Sequence, residues 1–264
     1  MPGVSPLYQF TGNEYRTPAE KPRLLGDRLA LGTRAYFVSQ IAKIFWRGGR
    51  DVRDGHYNAD VFTRVAQEIM SLVEGCGGRF HIQGFEQYRE LSEPLIFASN
   101  HMSALENFVM PGLILPFKDT TFVVKASLLD YPVFGRFLTA TDPIPLERDN
   151  PREDLQKVLQ EGAARIERGL SLIIFPQSTR REDCDPESFN SLAVKLARKA
   201  GVRIVPVAVK TDFWGNGKLI RDFGPLRRDR PIHMRFGAPV TVTGNGREAH
   251  KEIVDYITST FAAW

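Results

Sequence analysis

Residues 94–108 read PLIFASNHMSALENF, and within them an apolar segment gives way to a helix. Pro94–Ala98 is an apolar run of strand length. Ser103 and Glu106 form an S-x-x-E capping box, which marks the first turn of a helix. In sheets built from such units, functional groups gather where strands end and helices begin. The loop between these two elements is therefore the first place to look for a site.

The chain after residue 78 repeats this step from an apolar run to a helical pattern. Besides Pro94–Ala98, strands are predicted at Phe80–Gly84, Thr121–Val124, Ile144–Glu147, Leu172–Phe175, Val202–Val209, Ile232–Phe236 and Val240–Thr243. Helices are predicted from about Ser103, then at Leu128–Leu138, Pro151–Arg168, Phe189–Ala200 and Glu248–Phe261. Because Pro206 cannot donate a ladder hydrogen bond, we expect its strand to be bulged or to lie at an edge. The alternation predicts an α/β fold with a largely parallel central sheet flanked by helices.

Two further regions precede this alternation. Residues 1–25 are rich in proline, glycine and charge, and we expect them to be irregular. Residues 26–75 predict an N-terminal helical pair, with one helix at Leu29–Trp46 and a second that ends at Val73. The apolar arc of the first helix could pack on the sheet or contact a membrane interface, and the pattern leaves both open. Residues 76–264 then form the α/β domain.

Composition limits the classes of function. The 264 residues are 42% hydrophobic and 25% charged, which indicates a globular chain. A net charge of +4 favours anionic partners such as phosphates or phospholipid surfaces. Cys76 and Cys184 form no C-x-x-C pair, so neither a disulfide nor a zinc site is supported, which suits a reducing compartment. Because there is no signal-peptide core and no apolar run of about 18 residues, we expect a cytoplasmic protein without membrane spans. The arginines between Arg221 and Arg230 are interrupted by acidic residues, so nucleic acid is not an expected partner.

His101 and Glu106 are a candidate general base and its orienting partner. Residues five apart on one helix lie about 140° from each other and do not face. The two side chains can meet only if the helix begins between them, which the capping box at Ser103 predicts. Capping alone also explains Glu106, and a loop histidine needs no function, so this stretch by itself leaves both interpretations open.

In two later stretches a strand end runs into a turn, and in a third a strand is interrupted by Pro206. They are Val124–Gly135, Ile173–Arg180 and Ile204–Val209. In the second of these, two hydroxyl residues precede Arg180 at the end of an apolar strand, a combination that suits a phosphate. Taken singly, Lys125 and Arg180 could equally be surface charges.

In this order the four stretches resemble the glycerolipid acyltransferase family, whose best-known members acylate lysophosphatidic acid. The family motifs are His-x-x-x-x-Asp after Asn, a basic region that ends in Pro-x-x-Gly, Phe-Pro-Glu-Gly-Thr-Arg, and an apolar strand with a central proline. They correspond here to Asn100–Glu106, Lys125 through Pro132 and Gly135, Phe175–Arg180, and Val205–Val209. The resemblance covers about residues 80–245, and four ordered blocks make it more specific than any one alone.

The resemblance implies an O-acyltransferase. A fatty acyl group would move from acyl-CoA or acyl carrier protein to a hydroxyl of a lysophospholipid such as 1-acylglycerol-3-phosphate, at the cytoplasmic face of a membrane. His101 would be the general base and Glu106 its partner, with no metal and no cofactor beyond the acyl donor. The implied substrate-binding residues are Asn100, Ser103, Lys125, Pro176, Gln177, Ser178, Thr179 and Arg180.

Two departures from the family pattern bear on the acceptor. Glu106 stands where the family has aspartate, and Gln177 with Ser178 replaces Glu-Gly in the third block. Two rival functions remain: a serine thioesterase or hydrolase that uses Ser103, and a non-catalytic protein that binds lipid or an acyl carrier. The first lacks any G-x-S-x-G nucleophile turn.

Overall fold

The computed structural model describes residues 8–55, 59–131, 134–217, 222 and 224–264. Within these residues the strands are β1 Glu14–Arg16, β2 Phe80–Gln83, β3 Ile96–Ser99, β4 Thr120–Lys125, β5 Ile144–Leu146, β6 Ser171–Ile174, β7 Ile204–Lys210 and β8 Ile232–Phe236. The helices are α1 Leu25–Leu29, α2 Arg34–Arg53, α3 Ala59–Gly75, α4 Leu105–Ile114, α5 Phe134–Thr139, α6 Pro151–Glu167, α7 Leu192–Ala200 and α8 Arg247–Ala262. Short 3-10 turns lie at Phe85–Gln87, Ala126–Leu128 and Pro186–Ser188.

The strands form one sheet in the order β1-β2-β8-β7-β3-β6-β4-β5. From β7 to β5 every neighbouring pair is parallel. The pairs β7–β8 and β1–β2 are antiparallel, whereas β2 and β8 run parallel to each other. The predicted α/β fold with a largely parallel sheet is confirmed. Because these strands are parallel, the carboxyl ends of β7, β3, β6 and β4 lie along one edge of the sheet.

Helices cover both faces of this sheet, and the strand residues alternate between them. On β3, Phe97 belongs to the core that α2, α3, α4 and α5 cover, whereas Ile96 and Ala98 belong to the core under α6, α7 and α8. β7 divides in the same way, with Val207 on the first side and Ala208 on the second. Burying each large apolar side chain contributes roughly 1.5–3 kcal/mol, so the two cores hold the sheet edge rigidly.

The N-terminal helix starts later than the sequence predicts. Leu31 and Gly32 both have positive φ, 52° and 67°, so the chain turns sharply between α1 and α2. A left-handed backbone ends a helix. The predicted single helix from Leu29 is therefore wrong in its first turn, and α2 begins at Arg34.

The apolar arc of α2 faces the protein. Phe37, Ile41, Ile44 and Phe45 are all buried, and the ring of Phe45 packs against aromatic rings of α4 and α5. Of the two interpretations that the sequence left open for this arc, packing on the core is the one observed. No helix among the described residues is long and apolar enough to cross a membrane.

Residues 1–25 are largely irregular as expected where the structure describes them, from Tyr8 onward, but β1 and several side-chain contacts tie this segment to the domain. β1 extends the sheet by pairing with β2. The buried carboxylate of Glu74 on α3 accepts hydrogen bonds from the hydroxyls of Tyr8 at 2.7 Å, Tyr15 at 2.6 Å and Thr17 at 2.7 Å. Sequence periodicity cannot detect a segment that is held by such long-range contacts.

The expectation that the strand with Pro206 is bulged or at an edge is also wrong. β7 lies inside the sheet, between β3 and β8. The irregularity lies in the partner instead: β8 ends at Phe236, and the N–H of Gly237 donates to the Pro206 carbonyl at 2.8 Å. Pairing then resumes as an isolated bridge between Ile204 and Val240, which is all that forms of the strand predicted after residue 239. The proline thus falls where the ladder is already broken.

Candidate active site

His101 and Glu106 meet in the loop between β3 and α4. Nδ1 of the imidazole lies 2.8 Å from Oε1 of the carboxylate, so the contact that the spacing predicts is confirmed. The His101 side chain is 13% exposed and the Glu106 side chain is fully buried. One partner of the pair therefore retains a path to solvent or substrate, and the other does not.

The capping interaction that brings the pair together is present in a slightly altered form. Glu106 Oε1 accepts the backbone N–H of Ser103 at 2.7 Å, as a capping box requires. In return the Ser103 hydroxyl accepts the N–H of Leu105 at 3.0 Å, rather than that of Glu106. Helix capping and orientation of the histidine are thus two tasks of the same carboxylate.

Further donors surround Glu106. The Met102 N–H lies 2.6 Å from Oε1, and the hydroxyls of Ser103 and Thr211 lie 2.9 and 2.6 Å from Oε2. Burial favours the protonated acid, but the hydrogen bond and charge of His101 and the Thr211 hydroxyl outweigh it, and the pKa of the Glu106 carboxyl is lowered. An ionised carboxylate only accepts hydrogen bonds, so Nδ1 of His101 carries the proton. In the neutral imidazole Nε2 is then the basic nitrogen.

The third block of the resemblance supports the backbone and ring of His101. Gln177 accepts the His101 N–H through its side-chain oxygen at 2.7 Å and donates to the Ser188 hydroxyl at 2.9 Å. The N–H of Arg181 donates to the His101 carbonyl at 2.8 Å. The ring of Phe175 stacks on the imidazole with centroids 4.4 Å apart. β6 and the turn after it therefore fix the position of the histidine.

Four residues that the sequence groups with substrate binding face the protein instead. The side-chain amide of Asn100 exchanges two hydrogen bonds of 2.8 Å with the backbone of Val209, and the residue is 1% exposed. Ser103 is buried in the Glu106 network, Gln177 is committed as described, and Pro176 is buried with its carbonyl bonded to the N–H of Asn190. A buried side chain whose polar atoms are paired within the protein holds the loop. Because of these contacts we propose positioning roles for these four residues.

The other four predicted residues lie at the surface of the same sheet edge. Lys125 ends β4 and is exposed, as are Ser178 and Thr179, whereas Arg180 is half-buried. Nη1 of Arg180 lies 2.5 Å from a carboxylate oxygen of Asp222. These are the members of the set that a substrate can reach.

Ser178 has a positive φ of 62° at the position where the family pattern has glycine. A left-handed backbone costs a residue with a β-carbon roughly 1–2 kcal/mol relative to the right-handed form. The side chain of Asn190 donates a hydrogen bond of 3.1 Å to the Ser178 hydroxyl. The turn thus keeps the left-handed backbone of the family pattern, although serine replaces glycine, the residue that adopts this backbone most easily.

The second block also has a structural reason for its glycine. A β-carbon added to Gly135 would lie 2.0 Å from the carbonyl oxygen of Leu129, and the Gly135 N–H bonds to the Tyr131 carbonyl at 2.8 Å. The backbone there can approach only if the side chain is absent. Pro132 of the same block lies outside the described residues, as does part of the helix predicted at Leu128–Leu138.

Sequence reasoning missed Thr211, the first residue after β7. Its hydroxyl contacts the catalytic candidate Glu106, yet it lies beyond the fourth block of the resemblance. A hydroxyl residue directly after a buried parallel strand, at the edge where Ser99 also ends its strand, was the available signal. Among the described residues, no group of three or more His, Cys, Asp or Glu side chains is placed to hold a metal ion.

Comparisons with known proteins bear on the family and the fold. The Acyltransferase family model matches residues 79–210, half of the chain. A 1-acyl-sn-glycerol-3-phosphate acyltransferase of Pseudomonas aeruginosa is 30% identical over 223 residues, which cover 84% of this chain and 79% of that protein. A chloroplastic enzyme of the same name from Arabidopsis thaliana is 29% identical over 142 residues, 54% of this chain and 38% of that protein. The crystal structure of the 1-acyl-sn-glycerophosphate acyltransferase of Thermotoga maritima covers 90% of this chain and 95% of that one, with a TM-score of 0.67 at 18% identity. At that identity the likeness concerns the fold alone.

Proposed function

This chain belongs to the Acyltransferase family, and we propose that it moves a fatty acyl group from an acyl thioester to the free hydroxyl of 1-acylglycerol-3-phosphate. The observation that carries the proposal is the buried Glu106 carboxylate on Nδ1 of a partly exposed His101. The P. aeruginosa and A. thaliana relatives are named for that reaction, and this supports the choice of acceptor.

In the proposed mechanism His101 is the general base. Nε2 takes the proton of the acceptor hydroxyl while its oxygen attacks the thioester carbonyl carbon, and the tetrahedral adduct then expels the thiolate as the C–S bond breaks. The thiolate leaves with the proton from the imidazolium. Glu106 holds the tautomer with the proton on Nδ1 and stabilises the transient positive charge. The reaction needs no metal, and the acyl donor is a co-substrate, either acyl-CoA or acyl carrier protein.

The acceptor phosphate is proposed to bind beside Arg180 and Lys125, with the hydroxyls of Ser178 and Thr179 as further donors. Arginine and lysine at a strand end, next to hydroxyl donors, suit a phosphate. Arg180 pairs with Asp222 in this structure, so an incoming phosphate exchanges one anion for another at the same guanidinium.

We further propose that α1 contacts the phospholipid surface that supplies the acceptor, at the cytoplasmic face. Four strongly exposed leucines cluster there: Leu24 at 41%, Leu25 at 69%, Leu29 at 73% and Leu31 at 89%. The opposite side of α1 is fixed by the buried carboxylate of Asp27, which pairs with Arg23 and with Arg228. Leu25 and Leu29 are thereby held outward, beside the exposed Arg28, an arrangement that suits an anionic lipid interface.

This surface differs from the α2 arc that the sequence suggested, because that arc is buried. The variant Leu25→Ser with Leu29→Ser is expected to sediment less with vesicles of anionic phospholipid, whereas Leu25→Met with Leu29→Met sediments as the wild type does. Equal sedimentation of the two variants would contradict the assignment of this surface.

A serine hydrolase is the weaker candidate. The Ser103 hydroxyl is buried, donates within the Glu106 and Thr211 network and accepts a backbone N–H, so it has no exposed face for an acyl group. A serine-reactive probe that labels the wild type but not Ser103→Ala would reverse this preference.

The deciding experiment offers purified protein 1-acylglycerol-3-phosphate and acyl-CoA and follows release of free thiol together with the diacyl product. Turnover is expected, and His101→Ala should reduce kcat by about 10²–10⁴-fold, as removal of a general base does. Turnover of lysolipids with a phosphodiester head group, measured in parallel, shows how strongly the reaction depends on a phosphate monoester in the acceptor. Equal turnover by wild type and His101→Ala would refute the mechanism, and lysolipid binding without turnover would favour a non-catalytic binding protein.

A further inference from the structure

The carboxylate beside His101 is held from a second strand, by a residue far away in the chain. Thr211 is fully buried, and its hydroxyl oxygen lies 2.6 Å from Oε2 of Glu106 and 3.1 Å from the Ser103 hydroxyl. The two contacting residues are 105 positions apart in the chain. Neither helix capping nor the four motifs of the resemblance accounts for this contact.

The hydrogen-bond inventory fixes the direction of this contact. A threonine hydroxyl has one proton, and an ionised carboxylate has none to give. The Thr211 proton therefore points at Oε2, which leaves its lone pairs to face the Ser103 hydroxyl. A hydroxyl that donates to Oε2 stabilises the charged carboxylate, and the pKa of the Glu106 carboxyl is lowered.

We propose that Thr211 is a positioning residue of the acyl transfer reaction: its hydroxyl holds Oε2 so that Oε1 faces Nδ1 of His101, and it keeps Glu106 ionised. The proposal rests on the proposed function for its kinetic meaning but not for its geometry. Donation to Oε2 leaves the carboxylate one fixed orientation, and the imidazole inherits that orientation through Oε1.

Residues 209–216, which include Thr211, also form other hydrogen bonds with the loop that carries His101. The backbone of Val209 pairs with the amide of Asn100 on one side of His101. On the other side the Thr211 N–H lies 3.3 Å from the Met102 sulfur, and the Asn216 amide donates to the Met102 carbonyl at 3.0 Å. The loop is thus bracketed before and after the histidine, which leaves the Thr211 hydroxyl as the contact that acts on the carboxylate itself.

Thr211→Val keeps the shape of the side chain and removes the donor, and Thr211→Ser keeps the donor. Thr121→Val is the matched control. Thr121 lies on β4, outside the site, and is also fully buried, but its hydroxyl bonds to the Asp142 carbonyl. Thr211→Val should lower kcat roughly ten-fold or more with little change in KM, since one charge-assisted hydrogen bond is lost. Thr211→Ser should recover most of the activity, and Thr121→Val should leave kcat unchanged.

The pH profile separates positioning from a merely structural role. Without the Thr211 donor the carboxylate binds a proton and the imidazolium more strongly, so the acid limb of kcat should move to higher pH. A lowered kcat with an unshifted limb, or a Thr211→Ser variant no better than Thr211→Val, would overturn the proposal. Urea unfolding of each variant shows whether it folds. If Thr211→Val does not fold, Thr211→Ala replaces it in the same comparison.

An NMR titration makes the test independent of turnover. The side-chain carboxyl carbon of Glu106 should titrate at higher pH in Thr211→Val than in the wild type. If the wild type transfers no acyl group but this titration shifts, the proposed function fails and the positioning role stands. If the wild type is active and neither readout shifts, the positioning role fails alone.

Discussion

Two buried glutamates in this protein have similar surroundings and different consequences. Glu74 accepts three side-chain hydroxyls and pairs with the Lys21 ammonium at 3.3 Å, whereas Glu106 accepts two hydroxyls, two backbone N–H groups and an imidazole. Burial and the Glu74 carboxylate raise the pKa of both Tyr8 and Tyr15, so those donors keep their protons at any physiological pH. Among the partners of Glu106, the His101 imidazole is partly exposed and can accept a proton at Nε2. A buried carboxylate thus indicates chemistry when one of its donors is a partly exposed general base.

The largest expected effect comes from replacing each of the two carboxylates by an amide. Glu106→Gln should reduce kcat by at least about 100-fold, because a neutral amide neither stabilises the imidazolium nor accepts all the donors. Glu74→Gln should keep kcat and lower the free energy of unfolding by about 2–3 kcal/mol, since hydroxyls lose a charged acceptor. Steady-state kinetics and urea unfolding of both variants measure this, and a comparable loss of kcat in Glu74→Gln would contradict the distinction.

A second effect concerns acid stability. The pKa of Glu106 is lowered in the folded state, so its contribution to stability is complete above the unfolded value of about 4.3 and disappears as pH falls through the lower folded value. The stability difference between wild type and Glu106→Gln should therefore be constant above about pH 5 and shrink below about pH 4. Thermal unfolding from pH 3 to pH 7 measures it, and a difference that does not depend on pH would count against an ionised carboxylate.

A third, smaller effect tests the region around Glu74 without touching its charge. Tyr15→Phe removes one of three hydroxyl donors and should cost about 1–2 kcal/mol of unfolding free energy. Acyl transfer should be unaffected, because β1 lies at the sheet edge far in strand order from β3 and β6. A selective loss of kcat at unchanged stability would mean that the N-terminal segment acts on the site.

The smallest effect concerns the turn beside His101, which has no counterpart around Glu74. Ser178→Gly removes the cost of a left-handed backbone at a residue with a β-carbon. It also loses the hydrogen bond from Asn190 and gives the unfolded chain more entropy. The free energy of unfolding is therefore expected to rise by a few tenths to about 1 kcal/mol. Ser39→Gly, at an exposed position on α2, is the control and should destabilise by about 0.5–1 kcal/mol. Urea unfolding distinguishes the two signs.

The sequence predicts the part of this molecule that local rules govern. The capping box and the five-residue spacing predict the contact of His101 with Glu106, and alternating patterns predict the largely parallel sheet. Roles in catalysis and binding stay predictions. Local rules could not supply which side chains face inward. Asn100 and Gln177 occupy positions of the family motifs, yet the Asn100 amide binds the Val209 backbone and the Gln177 oxygen accepts the His101 N–H.

The unexpected strand β1 and the position of Pro206 share a physical cause, which is that distant segments decide them. β1 forms because β2 offers a free edge, and Pro206 is tolerated because the break in the ladder lies in its partner. Thr211 escaped notice because its meaning depends on a carboxylate more than a hundred residues earlier. Composition and periodicity within one segment contain no trace of such partners.

The adjacency of β3 and β7 also bears on how the protein acquires activity as it folds. These neighbouring strands enclose β4, β5 and β6 in the chain between them, so closing them together is a late, entropically costly event. A refolding chain that has formed β3, α4 and β6 therefore has His101 and Glu106 together but not yet the contacts from β7. Recovery of enzymatic turnover is consequently a readout of the completed sheet, and not of its first half.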